Sequence, residues 1–342
     1  MNDRVRILVA VGGVFALFLA VQLGALVLVE PFEESRGPAV DDPQDPINSA
    51  VFFGVILVAT GIMLAAFRYD AQRFVRALLV GVSVVLAWFV FTELVPDVVH
   101  IGGLNAIAMA GALAIGLALL VYPEWYVIDL AGVVIGAGAA GLFGISFGLL
   151  PAIVFLVGLA IYDAISVYRT EHMLSLADGA LESKLPVVFV VPTTLAFSYL
   201  EGSSTPASLD ADPTDDVDRD GDEPSGTPDG GSDDESPADE PPSAGERDAL
   251  FIGLGDAVIP TILVASAVTF LEAPTLDVPA ITLTVPALGA IIGTLCGLAV
   301  LMHMVLKGRP HAGLPLLNGG AIFGYLVGAM ATGTSLATAV GL

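Results

Sequence analysis

Nine stretches of this sequence are long and apolar enough to cross a bilayer, and that leaves little choice of fold. They run over residues 7–29, 47–67, 74–95, 101–122, 126–147, 149–167, 250–271, 278–306 and 314–342. A span takes roughly 20 mostly apolar residues. In hydrocarbon every backbone amide and carbonyl must bond within its own segment, so such windows fold as helices. The expectation is an all-α membrane protein with nine transmembrane helices. Composition agrees, with 55% hydrophobic and 14% charged residues and a mean hydropathy of +0.84, far from the balance of a soluble domain. The first window follows Arg4 and Arg6, exceeds a usual signal core in length and has no clear small-x-small site after it, so it is predicted to remain as a span.

Cations sort the loops. With the N-terminus inside, nine spans place Arg4, Arg6, Arg68, Arg73, Arg76, Arg169, Lys184, Lys307 and Arg309 on the cytoplasmic side and Arg36 alone outside, as the positive-inside rule asks. The C-terminus is then expected outside a cell membrane crossed many times. The apolar stretch 185–200 is short and holds Pro186 and Pro192. As a tenth span it would put Lys307 and Arg309 outside, so its run from Val187 to Val191 reads as a short strand, covered by protein or lining a wet cavity.

Three parts follow. Residues 1–201 form a six-span part and 250–342 a three-span part. Between them, 202–249 holds 16 of the 36 acidic residues against two arginines. That segment is rich in Asp, Glu, Pro, Gly and Ser, cannot bury enough apolar surface to fold, and reads as a disordered cytoplasmic linker. The net charge of −24, acidic outside the linker too, suggests a high-salt cytoplasm and makes nucleic acid an improbable partner. The single cysteine, Cys296, lies in an apolar window, where packing is its default role, and it excludes an intramolecular disulfide. The histidines, His100, His172, His303 and His311, lack His-Glu-x-x-His spacing, so no metal or cofactor is expected.

Acids inside spans are costly and mark ion paths, proton relays or catalysis. Asp163 precedes Arg169 by six residues and Asp256 follows Leu250 by six. At 1.5 Å per residue each lies roughly 9 Å from the same end of its span, on helices running in opposite directions. Two carboxyls a few ångströms apart share a proton, which makes one an acid and the other a base. The ionised member can deprotonate a water that attacks a peptide carbonyl while the other polarises that carbonyl. In Gly253-Leu254-Gly255-Asp256 the glycines allow close backbone approach, and Pro260 lacks the amide that would bond the Asp256 carbonyl. Tyr162 brings a hydroxyl near the site, though its position points it off the Asp163 face. Other acids read more plainly: Asp70 as a solvated face between Arg68 and Arg73, Asp129 and Glu93 as interfacial residues that snorkel.

Tyr162-Asp163 in the sixth window, Gly253-Leu254-Gly255-Asp256 in the seventh and a proline-containing turn opening the ninth together resemble the presenilin and signal peptide peptidase family of intramembrane aspartyl proteases. The short-looped, acidic format looks like an archaeal, halophilic member. The family's third motif, Pro-Ala-Leu-Pro, matches Ala312-Gly313-Leu314-Pro315, with the first two positions departing. A literal Pro286-Ala287-Leu288 lies far from the cytoplasmic end of the eighth span and reads as chance. The resemblance implies the family's nine-helix fold, Asp163 and Asp256 as catalytic residues, and substrate contacts from Tyr162, Gly253, Leu254, Gly255, Gly313, Leu314 and Pro315. Leu314-Pro315 is expected to be extended, because a residue before proline avoids helix, with Asn318-Gly319-Gly320 adding freedom. The implied partners are transmembrane proteins or signal peptides in the lipid bilayer, held as a strand near this turn, with a homo-oligomer left open. The inside N-terminus resembles presenilin more and hints at substrates whose own N-termini face outside.

Three other readings compete. A proton-coupled transporter would use the same two aspartates as a relay, but no inverted repeat is evident. A non-catalytic membrane chaperone of the same fold would tolerate Asp→Asn changes. Gly144-Ile145-Ser146-Phe147-Gly148 matches a serine hydrolase elbow but lacks its strand-to-helix setting; with Gly132, Gly136 and Gly141 it reads as close helix packing.

Overall fold

A computed structural model describes residues 3–69, 71–169, 188–193, 197, 249–307 and 312–342. The linker expectation for 202–248, and the readings of Asp70, His172, Lys184, Arg309 and His311, lie outside the described residues. The chain begins with helices α1 (Asp3–Ser35), α2 (Ile47–Arg68) and α3 (Gln72–Leu94), then a two-residue hairpin pair, β1 (His100–Ile101) and β2 (Leu104–Asn105). Helices α4 (Ala106–Val121), α5 (Trp125–Ser146) and α6 (Leu149–Arg169) complete the first part. After β3 (Val188–Pro192) and β4 (Ala249–Gly253) come α7 (Leu254–Phe270), β5 (Thr275–Val278), β6 (Ile281–Thr284), α8 (Val285–Val305), α9 (Gly313–Ala331) and a final turn, α10 (Leu336–Ala339).

Seven of these helices are long and apolar enough to cross a membrane, while α4 and α7, with 16 and 17 residues, are shorter apolar helices in the fourth and seventh expected windows. Three windows began too early. Residues 101–105 belong to the β1–β2 hairpin, 250–253 to β4 and 278–284 to a β5–β6 hairpin, so α4, α7 and α8 start five, four and seven residues later than their hydropathy suggests. The start of α8 is set by local chemistry: Thr284 Oγ1 accepts from the Ala287 amide and Pro286 occupies the first turn, where its missing amide costs nothing. Asn105 caps α4 in the same way, accepting from the Ile107 and Ala108 amides.

The core lies where α1, α5, α6, α7, α8 and α9 meet. Leu26, Phe147, Leu156, Leu263, Ala287 and Tyr325 are all buried in one cluster, and the Tyr325 hydroxyl donates to the Ala339 carbonyl at 2.7 Å, tying α10 beneath it. Glycines set how close the helices come. Added Cβ atoms on Gly289, Gly293 and Gly297 of α8 would strike the backbone of Gly324, Gly320 and Leu316 of α9, so these helices touch along their main chains. Gly320 therefore serves close packing within α9, not the local freedom expected of it. Gly136, Gly141 and Gly144 do act as packing glycines, against Leu254, Phe32 and Ala265. Ser146 of the elbow-like motif is buried, donating to the Leu142 carbonyl and accepting from the Ala39 amide. Cys296 faces outward from α8 instead of packing.

Candidate active site

The expected strand exists. Val188 to Pro192 pairs antiparallel with Ala249 to Gly253, with Val190 opposite Phe251 and Val188 opposite Gly253. The hairpin partner runs without interruption into α7: Gly253 is both the last residue of β4 and the N-cap of the helix. Asp256 thus stands in the first turn of α7, closer to the helix start than the sequence placed it, because its upstream neighbours are extended. Pro260 follows one turn later inside the same helix.

Asp163 is reached through α6. Asn318 of α9, fully buried, donates from Nδ2 to the Leu156 carbonyl at 2.9 Å. Two turns further along α6, on the face of Leu156, stands Asp163; one turn back along α9 stands Leu314. There the Leu314 amide donates to Asp163 Oδ2 at 3.0 Å. The amides of a helix's first turn have no partner inside the helix, and Ala312, the N-cap of α9, supplies no side-chain cap. The Asp163 carboxyl takes that place, itself only 5% exposed.

Asp256 arrives at the same point from the other side. A Cβ on Gly313 would lie 3.7 Å from Asp256 Oδ2, and one on Gly253 would lie 3.4 Å from it. The carboxyls of Asp163 and Asp256 therefore both border the dipeptide Gly313-Leu314, one through a hydrogen bond and the other across the space that a side chain on Gly313 would fill. Asp163 sits near the end of α6 and Asp256 at the start of α7, so the helices that carry them approach this point from opposite chain directions.

The remaining candidates divide. Gly253 and Gly313 flank the carboxyls. Gly255 is exposed beside them, with only Ile259, among the described residues, within 4 Å of an added Cβ. Leu254 turns away, its Cδ1 3.2 Å from the Cβ position of Gly136 on α5. Tyr162 also turns away, packing edge-on against Phe53 of α2 with ring centroids 5.9 Å apart. Pro315 is in the first turn of α9, and Leu314 is helical, not extended. A proline so near a helix start loses no intrahelical bond, which removes the main penalty that favours extension before it. The literal Pro286-Ala287-Leu288 opens α8 at the far end of the α8–α9 pair, where Gly328 meets Pro286, and has no part in the site.

These positions can be set against known proteins. A family model described as signal-peptide peptidase, presenilin aspartyl protease matches residues 15–334. The chain belongs to that family. Two solved structures of a presenilin family intramembrane aspartate protease resemble it. One, in a C222 crystal form, is 33% identical, with 94% of this chain and 99% of that chain covered and a TM-score of 0.60. The other, in a P2 form, is 33% identical, with 93% and 97% covered and a TM-score of 0.58. No curated protein matches. This member of the presenilin and signal-peptide peptidase family is therefore a multi-pass membrane protein and an intramembrane aspartyl protease, and the transporter reading loses its ground.

One residue of this region was misread from sequence. Asp129 of α5 does not snorkel: it is 7% exposed and its Oδ1 accepts from the Val190 amide of β3 at 2.8 Å. Its partner lies 61 residues on, and no local pattern advertises so distant a contact. Glu93 stands near the C-terminal end of α3, where the Ser35 hydroxyl donates to it at 2.8 Å and Arg36 lies 3.7 Å away.

Proposed function

We propose that this protease hydrolyses peptide bonds within transmembrane segments, with Asp163 and Asp256 as its two catalytic carboxylates. The observation that carries the reading is their convergence on Gly313-Leu314 from separate helices. One carboxylate takes a proton from water as the oxygen attacks the scissile carbonyl carbon. The protonated partner donates to the carbonyl oxygen, giving a tetrahedral diol. Collapse of the diol breaks the C–N bond, with a proton passing from the aspartate pair to the leaving amine. The pair titrates as a unit, so the rate passes through a maximum with pH.

The nine-span reading adds α4 and α7 to the seven longer helices, with the N-terminus and the linker on the cytoplasmic side and the C-terminus outside. Substrates of this reading are transmembrane proteins or signal peptides. A peptide bond within a helix is shielded, so the substrate unwinds beside Asp256 and gains a strand partner from the hairpin. Asp129 already occupies the outward amide of Val190 on β3, which favours the β4 side. Leu314 and the glycines Gly253, Gly255 and Gly313 border the scissile bond; Tyr162 and Leu254 support the site from behind.

The test uses purified full-length protein and a model transmembrane peptide, comparing wild type with Asp163→Ala and Asp256→Ala and with an aspartyl-protease transition-state inhibitor. Product is expected from the uninhibited wild type alone, and equal product from all three proteins rejects the mechanism. A Leu314→Glu variant is expected to lose cleavage through a raised KM. Normal cutting by that variant removes Leu314 from substrate docking.

A further inference from the structure

One face of α5 touches the catalytic region three times. Asp129 accepts from the Val190 amide at 2.8 Å. Gly132, three residues on, leaves room for the ring of Phe189, whose Cε1 would be 2.8 Å from an added Cβ. Gly136, four further on, faces Leu254 and Val258 of α7, each 3.2 Å from its Cβ position. Residues at such spacing share one face of a helix. That face is therefore a seat that receives two consecutive residues of β3 and, a turn later, the start of the helix bearing Asp256. Phe189 is 1% exposed and packs with Leu250 and Ile252 of β4.

The polar contact is the only one of the three that fixes position along the strand. In an antiparallel pair each amide points either to its partner strand or away from it. The Val190 amide points away, toward Asp129. A slip of β3 by one residue would present the Phe189 or Val191 amide, which faces the other edge, and would turn buried side chains outward. Any slip of β3 carries β4 with it through their five-residue register. Gly253 and Asp256 continue directly from β4, so the catalytic carboxyl moves too.

We infer that Asp129 is a positioning residue for this protease: by holding the Val190 amide against α5 it sets the register of the β3–β4 hairpin and so the placement of Asp256. It touches neither substrate nor the reacting atoms. The inference rests on Asp256 acting as a catalytic carboxylate, but its first readout does not. Asp129→Leu removes the acceptor at similar volume, and Asp129→Asn keeps an acceptor oxygen in place.

Amide exchange at Val190 is measured in full-length protein in detergent, together with kcat, KM and the distribution of cut positions in a model transmembrane peptide. The Leu variant is expected to lose at least about tenfold in protection at Val190. Its kcat falls about tenfold or more, as a displaced catalytic group demands, with KM nearly unchanged and cut positions spread to neighbouring bonds. The Asn variant restores all of these to within about twofold of wild type, because its oxygen accepts the same hydrogen bond. Gly132→Ala, which crowds Phe189 without touching Asp129, reproduces the kcat loss and covers the case in which the Leu variant does not accumulate. Wild-type protection at Val190 in Asp129→Leu overturns the inference, as does lost protection with unchanged kcat. An active Asp256→Ala enzyme would instead reject the catalytic assignment while leaving the exchange result standing.

Discussion

At the site, the hydrogen bond from Leu314 to Asp163 does two jobs with one carboxyl. It satisfies a first-turn amide of α9 that the N-cap residue Ala312 cannot reach with its own side chain, and it holds Asp163 against the dipeptide that Asp256 also borders. An anionic group suits that end of a helix, where unpaired amides carry partial positive charge. The glycine between the two acids has a matching role. A methyl group on Gly313 would sit 3.7 Å from Asp256 Oδ2 and 3.3 Å from Leu301 Cδ2, so the leucine yields slightly and the space beside the carboxylate is lost. Gly313→Ala is therefore expected to keep its thermal stability while kcat/KM falls roughly tenfold, the scale of a small misplacement at a reacting centre. Steady-state cleavage and a melting curve on the same preparation check this, and an unchanged kcat/KM shows that the space is not used.

Among the elements, α8 and α9 behave as a single body because their glycines bring main chain against main chain. The Gly293 Cβ position collides with the Gly320 carbonyl, which cannot swing aside as a side chain can. Gly293→Ala should destabilise the protein by about 1–3 kcal/mol, the usual cost of overpacking. It should also lower activity by shifting the start of α9 away from Asp163. A melting temperature equal to wild type contradicts the contact. The sequence made the helices legible through apolar length, and the two acids through their cost in lipid. It hid the start of α7, because Leu250-Phe251-Ile252 is equally apolar as strand or helix and hydropathy alone does not separate the two. The role of Asp129 was hidden for another reason. An acid one turn inside a window reads as interfacial until the strand it binds is placed beside it.

Across the whole molecule, the proposed catalytic pair is divided between two stretches of chain that lie on either side of residues 202–248. Asp163 belongs to the first stretch; Asp256 and Gly313-Leu314 belong to the second. What joins the two is extensive: the β3–β4 ladder, Gly136 against Leu254 and Val258, Ser266 Oγ donating to the Phe147 carbonyl at 2.8 Å, and Asn318 donating to the Leu156 carbonyl. Contacts of this kind do not depend on covalent continuity through the acidic segment, so the segment is expected to do no more for cleavage than keep the two stretches at high effective concentration. Cutting the gene between Gly230 and Gly231 leaves both strands of the hairpin intact. Two chains, 1–230 and 231–342, expressed together in one membrane should associate and cleave a model substrate within about tenfold of the intact enzyme, while neither chain expressed alone should cleave at all. Co-purification through a tag on one chain, followed by the cleavage assay, reads both outcomes. Cleavage by one chain alone would mean that a single aspartate suffices, and co-purified chains without activity would mean that the segment contributes more than proximity.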